Sequence, residues 1–114
     1  MANDINLMKA LNIHEYTIAK TSMADLNNLL LQMGKNPAIY KAVFDKLDKG
    51  ENLTSEDVRQ LVAGMKYLSG VMKEAMKKDP KAGKIANGAY SAKQVASTVK
   101  QMDKLCTKLE KKFL

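Results

Sequence analysis

A chain of 114 residues supplies one domain with a single modest core, and at 46% hydrophobic and 27% charged residues it is too apolar to stay disordered. Eight Met, two Phe and no Trp require a core of Met, Leu, Val, Ile and Ala, which favours helices over strands. No run approaches the ~18 apolar residues of a membrane span, so an integral membrane protein is not expected.

Asp4 and Asn6 stand where a secretory signal wants cations, and Cys106 is a lone cysteine with no partner for a disulfide. Both features point to a reducing, cytoplasmic setting, with signal-less export left open.

Asp4 is a candidate N-cap for a first helix reaching Lys20, in which Leu7, Leu11, His14 and Ile18 share one face. On that face His14 reads either as a partly buried, satisfied histidine or as an acid/base group. It is the sole His and has no Cys at ligand spacing, so neither a metal nor a cofactor is expected.

Ser22 and Asp25 form a capping box for a short second helix, with Met23, Leu26, Leu30 and Met33 before Gly34. That helix is apolar on more than one side, which suits a central element or, over Leu29 to Met33, a partner-facing one. Asn36-Pro37 opens a third helix to about Asp48, with Ile39, Tyr40, Val43, Phe44 and Leu47 as its stripe and Gly50 as its stop.

The stretch Asp45 to Glu56 superficially resembles a calcium-binding EF-hand loop: Asp45, Gly50 and Glu56 match its first, sixth and twelfth positions. Leu47 and Lys49 occupy positions that need oxygen ligands, so an ordinary helix–turn–helix connection is the expectation.

The stretch from Thr54 to Asp79 reads as the organising element. Thr54 caps it, Val58, Leu61, Met65, Leu68, Met72 and Ala75 alternate at spacings of three and four, and Pro80 stops it. Gly64 and Gly70 lie inside it, each at a helix-propensity cost of about 1 kcal/mol. Close packing of another helix is the first explanation for them, and a bend or division near Gly70 the second.

Residues 80–90 read as a loop, and its Lys81 and Lys84 flank Gly83 without the spacing of a phosphate-binding P-loop. Ser91 with Gln94 then caps a last helix whose seam is Val95, Val99, Met102, Cys106, Leu109 and Phe113. The two long seams predict an antiparallel αα-hairpin, about 54–79 and 91–113, roughly 35 Å long by helix rise. The fold expected is an all-α, compact bundle of about five helices in one domain, 1–114, with short N-terminal helices over 4–49 packed on a basic hairpin over 54–114.

Residues 1–65 carry six Lys and Arg59 against eight acids, whereas residues 66–114 carry twelve Lys against four. Lys93, Lys100, Lys104, Lys108, Lys111 and Lys112 lie on the outer face of the last helix, and with Lys81 and Lys84 they form the candidate partner-binding surface. Such a face is either a solvated helix surface or a docking site for an anionic surface.

No nucleophile–base pair, metal cluster or cofactor loop is evident, so no enzyme is expected. The function expected is a protein-binding module, an adapter, inhibitor or assembly factor of the small Lys-rich helical kind found among phage and mobile-element products. The alternative is non-specific nucleic-acid binding through the basic half. Only one of nineteen basic residues is Arg, and bidentate phosphate or guanine recognition is mainly Arg work. Self-association of such regular seams and membrane-surface docking of the last helix stay open.

Overall fold

The computed structural model describes residues 5–78 and 92–114, with the side chains of Met76, Lys78 and residues 92–95 left out of that description. It is an all-α bundle of five helices: α1 (Leu7–Ala10), α2 (Ile13–Gln32), α3 (Ala38–Lys49), α4 (Ser55–Lys78) and α5 (Ala92–Phe113). Its core is the aliphatic and methionine set expected, with Met23, Leu26, Leu47, Leu61, Met65, Leu68, Met72, Met102 and Leu109 all inaccessible to solvent.

The N-terminal helices depart from the sequence reading. The helix expected from Asp4 to Lys20 is broken at Leu11, an extended residue, and Asn12 starts α2 afresh. There the Asn12 side chain accepts from the Glu15 amide and Glu15 accepts from the Asn12 amide, a complete capping box. Asp4 lies outside the described residues. No break follows at Ser22 either: its buried hydroxyl donates to the Ile18 carbonyl one turn back, so a residue that looks like a cap sits mid-helix. The result is a helix of 20 residues that packs against each of the other four, beside the α4–α5 hairpin, which is the most extensive helix pair.

Gly50 ends α3 at φ +70°, a left-handed conformation that a side chain would oppose. Pro37 rather than Asn36 occupies the cap position of α3, while the Asn36 side-chain Oδ1 accepts from the Ala38 amide. Beyond Gly50, Leu53 is fully buried and pairs with Ile5 through two backbone hydrogen bonds of 2.6 and 2.8 Å. Within the EF-hand-like stretch, Leu47 and Leu53 are therefore core residues, and Lys46 bonds to Asp57 at the start of α4.

Thr54 caps α4 as expected: its hydroxyl accepts from the Asp57 amide and the Asp57 carboxylate accepts from the Thr54 amide, both at 3.0 Å. Thr54→Ala is expected to cost about 1 kcal/mol, measured by urea unfolding. The helix runs unbroken through Gly70. Antiparallel packing of α4 on α5 shows in the pairing of Val62 with Cys106 and of Ser69 with Asp103. Val62, Ser69 and Leu105 are buried beside the predicted seams, because α4 packs on α2, α3 and α5 at once. Ser91, Pro80 and the loop expected over 80–90 lie outside the described residues.

Ion pairs join the helices around the bundle: Lys20–Asp48 links α2 to α3, Lys46–Asp57 links α3 to α4, Lys66–Glu110 and Lys73–Asp103 link α4 to α5, and Lys108–Glu15 links α5 to α2.

Candidate functional site

The lysines of α5 fall into two sets because the two described acids of that helix turn toward α4. Asp103 accepts from Ser69 at 2.9 Å and from Lys73 at 2.9 Å, and Glu110 accepts from Lys66 at 2.9 Å. The Glu110 carboxylate raises the pKa of Lys66. With both acids consumed at that interface, Lys100, Lys104, Lys111 and Lys112 are exposed and make no ion pair among the described residues. They recur along one side of α5 as a stripe of positive charge, and Lys111 and Lys112 also favour the negative end of its dipole.

Lys108 does not belong to that free set. Its ammonium donates to both oxygens of Glu15 at 2.8 and 3.0 Å, tying α5 to the first turn of α2. The backbone of Lys93 lies in α5, but its side chain, like Lys81 and Lys84, lies outside the described residues.

The Lys108 hydrogen bond holds the Glu15 carboxyl below its ordinary 4.5, against an opposing contribution from burial. A depressed carboxylate pKa stabilises the fold above the unfolded value, and that stability is lost as pH falls through the folded pKa. Lys108→Ala is therefore expected to cost less than ~1 kcal/mol near neutrality, since the pair is partly solvated. The cost should vanish in acid, as read from chemical unfolding at a series of pH values.

His14 is exposed, not on the packing face, because the break at Leu11 resets the helical phase. Its Nε2 lies 3.0 Å from Gln101 Oε1, beside a groove of about 190 Å³ that also involves Asn12, Lys104 and Leu105. Cys106 is buried against the Val62 carbonyl, and burial pushes its thiol up to about 11, so it is protonated at neutral pH. Iodoacetamide should alkylate it only after unfolding, as followed by mass spectrometry.

Two further concavities have no counterpart in the sequence reading. A cavity of about 150 Å³ between α2, α4 and α5 is lined by Ser22, Asp25, Thr98, Leu68, Met72 and Met102, with Asp25 as its one carboxylate. On the outer face of α4 an open groove of about 530 Å³ runs past Lys66, Tyr67, Gly70, Val71 and Glu74. Tyr67 is 40% exposed, and its hydroxyl lies 4.0 Å from Sδ of the exposed Met33 at the end of α2. Leu31 and Met33 are exposed while Leu30 is buried, so the apolar end of α2 does present part of itself outward. The cavity was not legible in sequence, since it depends on which residues of separate helices meet, whereas the described lining of the groove belongs to α4 alone. Among the described residues no group of three or more His, Cys, Asp or Glu is placed to hold a metal ion. No protein-family model matches the chain, and neither a curated protein sequence nor a solved structure does.

Proposed function

We propose that the protein is a non-enzymatic helical module that docks on an acidic surface of another protein, acting as an adapter, inhibitor or assembly factor. The observation that carries this reading is the stripe of Lys100, Lys104, Lys111 and Lys112, which has no ion pair among the described residues because Asp103 and Glu110 turn toward α4. Lys93 extends it by helical spacing, and Lys81 and Lys84 precede it in the chain. Lysine suits such a surface: its flexible point charge reads no base sequence but follows an acidic protein face as steering and rim contacts. A non-catalytic role is supported by the protonated, buried Cys106 and by a surface His14 with Gln101 as its hydrogen-bond neighbour.

Amine-reactive crosslinking of a native extract, followed by mass spectrometry, tests the reading. One acidic partner should be captured through Lys100, Lys104, Lys111 or Lys112. The capture should disappear in a variant with all four changed to Glu that keeps its helical circular dichroism. Recovery of no protein partner through those lysines overturns it.

The basic charge of residues 66–114 also favours a second reading, non-specific nucleic-acid binding. Duplex DNA held by four lysines should lose affinity with a log–log salt slope of about −3.6. That slope, abolished in the same variant, would move the assignment to nucleic acid.

A further inference from the structure

Gly64 and Gly70 lie on the same helix, and only Gly64 is packed against by other described residues. A Cβ at Gly64 would sit 2.9 Å from Leu26 Cδ2, Met23 Cε and Tyr40 Cε1, so that glycine lets α2 and α3 approach α4. A Cβ at Gly70 would meet nothing within 4 Å among the described residues, and its φ is not positive. Among the described residues neither packing nor backbone conformation calls for the most helix-unfavourable residue after proline at this position. Gly70 instead lies on the open groove, exposed, between Tyr67 and Val71.

The charges around it carry a two-fold pattern. Lys66 stands four residues before Gly70 and Glu74 four residues after, both exposed and both lining the groove. We infer that this groove is the self-association surface of the protein, with α4 of a second copy lying antiparallel across a two-fold axis at Gly70. In that arrangement the two glycines meet at the crossing point, where the missing Cβ atoms allow backbone approach. Lys66 of each chain then faces Glu74 of the other, so the ion pair forms twice, as an isologous interface requires.

A parallel pairing would set Lys66 against Lys66 and Glu74 against Glu74, so the same charges specify the antiparallel orientation. Glu74 has no ion pair among the described residues. Lys66 already donates to Glu110, and its ammonium has further protons to give. Tyr67 and Met33 add apolar area at the rim. The free lysines face elsewhere: Lys104 flanks the first turn of α2, whereas the groove adjoins the last turn through Met33. Self-association is thus independent of the lysine-stripe reading.

Sedimentation velocity of the whole chain from about 1 to 500 μM is the test. The wild type should pass from monomer to dimer across this range. Gly70→Leu, which has room to fold, should weaken association at least tenfold with unchanged circular dichroism. Glu74→Lys should do the same, and adding Lys66→Glu to it should restore the dimer. Gly70→Cys should oxidise to an interchain disulfide across the axis, with buried Cys106 left unmodified. A wild type that stays monomeric throughout, or a dimer that survives both Gly70→Leu and Glu74→Lys, overturns the inference and leaves the groove to a different occupant.

Discussion

Gly64→Leu is expected to destabilise the fold by about 3 kcal/mol, the upper part of the range for overpacking a filled site. The first added carbon already meets three side chains at 2.9 Å, from two different helices, and the remaining carbons have no room beyond them. Met23 and Leu26 are fully buried, so they can yield only by displacing their own neighbours. Gly64→Ala should cost less, because a gain of about 1 kcal/mol in helix propensity offsets part of the clash. Gly70→Ala keeps that gain without a clash and is expected to raise the melting temperature by roughly 4 °C. Thermal unfolding followed by circular dichroism at the lowest, monomeric concentration of the sedimentation series reads all three. An equal response at the two glycines would contradict the packing described for α4.

Met65→Ala is expected to cost about 3 kcal/mol. Met65 is fully buried on α4, and truncation removes its transfer energy and leaves a void that a close-packed core fills only in part. Met33→Ala should stay within about 0.5 kcal/mol, since that side chain is 47% exposed. Urea unfolding should show a lowered midpoint with an unchanged slope for Met65→Ala and neither change for Met33→Ala. Against a total stability of 5–15 kcal/mol for a typical domain, about 3 kcal/mol is a large fraction.

These contrasts mark how far local signals reach. The first long helix was legible because its cap and seam agree: Thr54 caps it, and Val58 through Met72 are buried in the predicted phase. The second was legible from its seam, of which Val99, Met102, Cys106 and Leu109 are buried. The N-terminal helices were misread because single-residue signals compete. Asn12 terminates nothing by propensity alone but caps α2, and Ser22 reads as a cap yet bonds within a helix. The stripe Leu7, Leu11, His14 and Ile18 ran across that break, so its spacing was accidental and His14 emerged on the surface.

Sequence spacing also placed a row of lysines on α5. It could not separate Lys108 from the others, because the partner that engages it, Glu15, lies at the far end of the chain. The two glycines shared close packing as their first explanation in sequence and part company in space, because only a neighbouring helix decides whether a missing Cβ is filled.

The pairing of Ile5 with Leu53 has a dynamic consequence. It fastens the segment before α1 to the connection between α3 and α4, where Leu53 lies at the base of both helices. Splaying α3 from α4 therefore requires Ile5 to let go first. The amides of Ile5 and Leu53, distant in sequence, share one opening event and should exchange with solvent hydrogen at the same rate. A rate faster than that of the core amides would mark a local opening of the bundle rather than its global unfolding.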